Sequence, residues 1–269
     1  MKRHIFHYSI SEVAPYIDWS YLLHAWGLSG KATRETAEEV INDAKRLLHD
    51  MGDKCRTHAI FVLCDANGDG DNIIAEGVTI PCLRQQHAID GKPNLCLSDF
   101  VSPYGDKLGI FATTTDNDFG AEYTDDPYRY LLAQTLADRL AEATATLLHR
   151  QIRTCDEFWG YSKDEELTIE ELLLEKNQGI RPAVGYPSLP DQSIIFVLNK
   201  LLQTERIGIT ITPNGAMTPH ASVCGMMISH PRACYFAVGK ITEEQLDDYV
   251  QRSGTTAAEL YKFLSKNIE

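Results

Sequence analysis

Apolar residues at Ala37, Val40, Ile41, Ala44, Leu47 and Leu48 recur with a helical period and predict an amphipathic helix over residues 34–50. The pattern then changes. Residues 58–64, 72–80 and 109–115 are apolar runs bounded by Gly, Asp, Asn and Pro, which is how strands closed by turns read. Helical spacing returns over residues 128–153, with Leu132, Leu136, Leu140, Ala143 and Leu147 on one stripe. Thr168-Ile-Glu-Glu171 has the capping-box form and opens a helix expected to end near Gly179. Another helix, residues 191–203, puts Ile194, Ile195, Leu198, Leu201 and Leu202 on one side. Strands are expected at residues 207–212, 222–228 and 234–241. Two short helices finish the chain, opened by Thr242-Glu-Glu-Gln245 and Thr256-Ala-Ala-Glu259. Strands grouped apart from helices predict an α+β fold with antiparallel pairing. No linker-like stretch divides the chain, so one domain over residues 1–269 is expected.

Composition narrows the function. With 43% hydrophobic and 23% charged residues the chain reads as globular, and its net charge of −13 speaks against a phosphate-backbone partner. The longest apolar runs are far too short for a membrane span, and the basic start MKRHIFHYSI lacks an apolar leader core. The expectation is a soluble, cytoplasmic protein with no nucleic-acid or membrane partner. Seven cysteines, an odd number without a C-x-x-C pair, read as free thiols rather than a disulfide framework or a zinc site.

Asp65-Ala-Asn-Gly-Asp-Gly-Asp-Asn-Ile-Ile-Ala-Glu76 satisfies the EF-hand loop pattern, but its flanks are β-like where calcium loops need helices. A hairpin turn is expected there, with Glu76 too far up the second strand to close a calcium cage. His7, His24, His49 and His58 show no mutual metal spacing, and no metal ligand set is read from the sequence. On the long helix Asp138, Glu142 and His149 share a face. That face is either a solvated one carrying the pairs Asp138–Arg139 and Glu142–His149, or an anchor for a cationic ligand group.

The stretch GIRPAVGYPSLP, from Gly179 to Pro190, holds three prolines, two glycines, one arginine and one tyrosine between two predicted helices. Pro182 and Pro187 fix φ, and Gly185 lets the backbone bend or approach a ligand. Arg181 offers a planar fork suited to a carboxylate, and Tyr186 an aromatic face with a hydroxyl. Physics alone leaves two readings, a rigid helix–helix connector or one wall of a ligand site.

This stretch resembles the R-P-A-x-G-Y-P motif of the activation, or S-adenosylmethionine-binding, domain of cobalamin (vitamin B12)-dependent methionine synthase. Other motifs similar to that family follow in order: YIDWSYLLHAWGLSGK from Tyr16, LRQQ from Leu83, NLCLSDFVSP from Asn94, TLADRLAEA from Thr135, FWGY from Phe158, PHASVCGMMISHP from Pro219, YFAVGKI from Tyr235 and LDDYVQRSG from Leu246. The resemblance runs from about Tyr16 to the C-terminus and leaves residues 1–15 as an N-terminal extension.

The resemblance implies a single C-shaped α+β domain on a twisted antiparallel sheet that binds S-adenosylmethionine. It implies reductive reactivation, in which oxidised cob(II)alamin regains methylcobalamin with an electron from a flavodoxin-like donor and the methyl group of S-adenosylmethionine. Cobalamin would be carried by a methionine synthase partner, since the chain lacks the D-x-H-x-x-G cobalamin motif, and reactivation would act in trans. The motifs carry ligand-binding positions to Asp18, Glu142, Arg181, Ala183, Gly185, Tyr186, Tyr235 and Phe236, and no catalytic acid or base. Arg181 is expected to hold the methionyl carboxylate, and Asp18 and Glu142 to balance the ammonium and sulfonium charges. The family's Met-Trp-Pro-x-Ala-Ser-Val-Ser-Gly reads here as Met217-Thr-Pro-His-Ala-Ser-Val-Cys-Gly225, and Asp191-Gln-Ser-Ile-Ile replaces an acidic run after GYP. Thr218 and His220 therefore alter the face expected to meet the corrinoid. The alternatives are a module that binds S-adenosylmethionine without methyl transfer, or a reactivator of another corrinoid methyltransferase.

Overall fold

The structure is a computed structural model that describes residues 1–28, 34–52, 54–87, 91–116 and 118–268. Residues 29–31 of the YIDWSYLLHAWGLSGK motif lie outside them. Strand β1 (Arg3–Ser9) leads into helix α1 (Ile10–Val13), helix α2 (Trp19–Ala25) and helix α3 (Arg34–Met51). Strands β2 (Arg56–Asp69), β3 (Asn72–Ala75), β4 (Val78–Pro81) and β5 (Asp106–Thr115) follow, then the long helix α4 (Pro127–Thr154) and the short α5 (Ile169–Leu173). Helix α6 (Ile194–Leu202), the two-residue strands β6 (Thr210–Ile211) and β7 (Met217–Thr218), strand β8 (Ser222–Met227), and helices α7 (Glu243–Ser253) and α8 (Ala257–Leu264) complete the chain.

The main sheet is antiparallel in the order β4-β3-β2-β5-β8, and β1 pairs with the first half of β2 beside β3. Side chains alternate across it with a period of two. Ala59, Phe61, Phe111, Val223 and Met227 face a core shared with α1 to α4, while Ile60, Val62, Ile110, Ala112, Cys224 and Met226 face a second core under α6. Both faces are covered, which explains why the strands read as near-continuous apolar runs. Helix α4 is started by Asp126, whose Oδ1 accepts from the Tyr128 and Arg129 amides, and by Pro127 in its first turn. Thr113 Oγ1 of β5 donates to the Ala141 carbonyl at 2.9 Å and fixes the helix on the sheet. No described helix is long and apolar enough to cross a membrane.

The EF-hand pattern is a β2–β3 hairpin, with Asp69 paired to Asn72. Glu76 is tied across it, accepting from the Asp65 amide at 3.0 Å, while the Asp65 carboxylate pairs with Lys107. Four local expectations are corrected. The run 207–212 keeps only the two residues of β6, because Thr204–Ile207 wind into a 3-10 turn that Gly208 (φ 81°) ends. The run 72–80 is two strands, because Glu76 and Gly77 adopt positive φ and turn the chain between β3 and β4. The helix from Thr168 has its capping box but stops at Leu173, and Glu175 (φ 55°) turns the chain toward the sheet. Residues 234–241 join no ladder of the sheet. Instead the Val238 amide donates to the Pro187 carbonyl at 2.9 Å and the Phe236 amide to Ser188 Oγ at 3.1 Å.

Candidate ligand cleft

The proline-rich stretch is pinned to the sheet. Ile180 and Ile228 exchange backbone hydrogen bonds at 2.9 Å, and the Val184 amide donates to the Cys224 carbonyl at 2.9 Å. Residues 180–184 thus act as an irregular edge strand on β8, and their close approach needs Gly225. A Cβ there would lie 2.3 Å from the Pro182 carbonyl oxygen and 2.8 Å from Ala183 Cα. Gly185 (φ 86°) then turns the chain back, its amide donating to the Leu189 carbonyl at 2.8 Å.

This wall closes a cleft of about 850 Å³ between α2, α4, α5 and the 235–236 segment. Of the residues singled out in the sequence, Asp18, Glu142, Arg181, Ala183, Tyr186, Tyr235 and Phe236 line it. Gly185 does not; it shapes the turn behind Tyr186. The volume lies within the range of small-molecule sites.

Each polar group is positioned by its element. Asp18 caps the start of α2, its Oδ1 accepting from the Ser20 amide at 2.9 Å and from Ser20 Oγ at 2.5 Å. Glu142 accepts from the Tyr186 hydroxyl with one oxygen and from Arg181 Nη1 at 3.5 Å with the other. Arg181 also donates from Nη2 to Thr146 Oγ1 at 2.8 Å, and its amide donates to the Tyr235 hydroxyl at 2.9 Å. Burial works against the Arg181 charge, but the Glu142 and Glu175 carboxylates are among the neighbours that more than offset it and hold the guanidinium protonated. Burial raises the Tyr186 phenol, with Glu142 adding to the effect, and burial likewise raises Tyr235, so both stay neutral, Tyr186 donating to Glu142 and Tyr235 accepting from the Arg181 amide. Burial also lifts the Glu175 carboxyl, against the pull of Arg181. Arg139 lines the cleft too, with its Nε buried and without a hydrogen-bond partner among the described residues.

The cleft thus sets carboxylates beside guanidinium groups on a partly apolar floor, a donor set suited to a zwitterion with a further positive centre. The polar face of α4 does not carry the pairs its spacing offered. Glu142 turns to Arg181 and Tyr186, Asp138 meets His220 Nδ1 at 3.1 Å, and buried His149 pairs with the Tyr161 hydroxyl at 2.8 Å. Thr146, one turn beyond Glu142, and Glu175 were not singled out in the sequence. The first was legible from helical spacing; the second owes its place to the turn after α5, which no local pattern marks.

Residues 9–254 match the family described as vitamin B12 dependent methionine synthase, activation domain. The chain belongs to that family. Among solved structures it is similar to the MetH reactivation domain bound to AdoHcy, with 34% identity and a TM-score of 0.90, over 100% of this chain and 90% of the other. The activation-domain match begins at Ser9, the last residue of β1, so it enters the segment that the motifs alone left outside the resemblance.

Proposed function

We propose that the cleft binds S-adenosylmethionine and presents its methyl group to a cobalamin-bearing methionine synthase module, in trans where that module is a separate chain. The observation that carries this reading is the gathering of Asp18, Glu142 and Arg181 in one cleft of ligand size. The similarity to a domain bound to AdoHcy, S-adenosylhomocysteine, supports it. Arg181 holds the carboxylate of the methionyl group; its 3.5 Å contact with Glu142 is long enough to be exchanged for a ligand oxygen. Asp18 and Glu142 balance the ammonium and sulfonium charges. The backbone of 183–185 and of Tyr235–Phe236 frames the adenine, and Tyr186 closes the rim.

The partner's cobalt supplies the nucleophile and the sulfonium leaves as a neutral thioether, so no side chain here has to act as acid or base. This chain contributes proximity and orientation. An electron donor of the flavodoxin class completes reactivation.

Calorimetric titration of S-adenosylmethionine into the wild type and Arg181→Ala, with S-adenosylhomocysteine as control, tests the site. Binding is expected in the wild type and a loss of roughly tenfold to a hundredfold in the variant, as for a charge-assisted hydrogen bond. A folded wild type that binds neither ligand would overturn the reading. Binding without methyl transfer to a cobalamin module under reducing conditions would reduce the chain to a ligand-binding module.

A further inference from the structure

At the end of the β2–β5 pair where β2 begins and β5 ends, a second group of side chains converges without any part in the cleft. Cys55, just after α3, and Asp116 and Asp118, just after β5, bring one thiol sulfur and two carboxylate oxygens within 4.8 Å of one another. The thiol is 4% exposed and has no hydrogen-bond partner among the described residues.

Asp116 is held from behind. Its Oδ2 accepts from the Arg56 amide at 2.7 Å, and its Oδ1 accepts from His58 Nε2 at 2.7 Å. His58 is oriented in turn by His7, directly opposite it in the β1–β2 register, with the two Nδ1 atoms 2.7 Å apart. Ligating carboxylates are themselves held by hydrogen bonds from outside the metal's own shell, and His58 gives Asp116 such a bond. Lys54, next to Cys55, is engaged by Glu122 at 3.0 Å.

We propose that Cys55, Asp116 and Asp118 bind one divalent cation of the zinc class, with His58 as the positioning residue behind Asp116. Tetrahedral zinc with sulfur and oxygen ligands sets those atoms roughly 3.3–3.6 Å apart, so a small contraction of the cluster suffices. A thiolate among carboxylates selects a borderline-soft cation over calcium or magnesium, which take oxygen ligands alone. Binding converts the Cys55 thiol to thiolate and releases its proton to solvent. Three protein ligands leave a fourth position for water, on the side where Asp118 is exposed. The ion would clip the α3–β2 junction to the loop leading into α4, apart from the methyl-donor cleft.

The test is a titration of chelator-treated full-length protein with Co(II), followed by displacement with Zn(II). One equivalent should give the thiolate-to-cobalt charge-transfer band, and Zn(II) should abolish it and raise the melting temperature. Cys55→Ser should lose the band, Asp118→Asn should weaken binding at least tenfold, and His58→Gln should weaken it tenfold to a hundredfold, the range for outer-shell partners. S-adenosylmethionine binding should be unchanged in Asp118→Asn. Absence of the band in wild type, or its persistence in Cys55→Ser, would overturn the proposal. So would cobalt binding without thiolate character. Asp118 is exposed, so its variant keeps the test decisive if Cys55→Ser does not fold.

Discussion

At the scale of single residues, the ligand cleft rests on a buried polar layer. Arg153 and Glu165 form a bidentate pair at 2.8 and 2.7 Å, 1% and 6% exposed, and His149 sits between that pair and Arg181. Burial, then Arg153, then Arg181 hold the His149 imidazole well below its ordinary value of 6.5. It therefore stays neutral beneath the guanidinium that is to hold a carboxylate. The unfolded chain binds a proton near pH 6.5 that the folded protein refuses. The stability this contributes is complete above that pH and is lost as the pH falls toward the lowered folded value. The expected loss attributable to His149 is roughly 1.4 kcal/mol for each pH unit below its unfolded value. His149→Gln keeps a hydrogen-bonding group near the Tyr161 hydroxyl and should flatten that part of the profile. Urea unfolding of both proteins at pH 7.5 and 5.0 measures it; equal slopes would sink the assignment.

Among the elements, the pairing of residues 180–184 with β8 joins sheet to cleft. The close approach rests on Gly225, where any Cβ would meet Pro182 and Ala183 backbone atoms that cannot swing away. Gly225→Ala should cost about 1–3 kcal/mol of stability, as overpacking does, and should weaken S-adenosylmethionine binding by displacing the Arg181 wall. A denaturant midpoint and a calorimetric titration on the same variant check both; lower stability with intact binding would detach the wall from the site. The elements also show how far periodicity carries. Helices α3 and α4 were legible because their apolar stripes face a core; the capping boxes at Thr168 and Thr256 form as their sequences indicate, while Thr242 caps its helix but the Gln245 side chain donates to the Arg84 carbonyl at 3.0 Å instead of closing a box. The ends of two elements were not. The helix after Thr168 stops early because the chain must turn to reach β8, and residues 234–241 meet the 187–188 loop instead of a strand. Both outcomes are set by partners distant in sequence, which no local pattern contains.

For the whole molecule, the cleft was legible where one motif held several of its groups, as in Arg181, Ala183 and Tyr186, and where a helix face ordered them, as in Glu142. It was illegible where tertiary turns delivered a residue, as with Glu175. The least legible segment was the first. No motif was read in residues 1–15, although the family match begins at Ser9; residues 3–9 pair with β2 along their whole length, and Tyr8, Ile10 and Val13 are 7%, 2% and 0% exposed in the core beneath α4. Burying such side chains contributes about 1.5–3 kcal/mol each, so together they approach the 5–15 kcal/mol that holds a typical domain folded. Removing β1 would also bare half an edge of the strand at the centre of the sheet, a template for association between chains. A chain begun at Tyr16 should therefore be largely insoluble, or melt far below the full-length protein, and should lose S-adenosylmethionine binding through loss of fold. Circular dichroism melts and sedimentation of the two chains side by side decide it. An unchanged midpoint in the shortened chain would mean that β1 is an ornament on a sheet already complete without it.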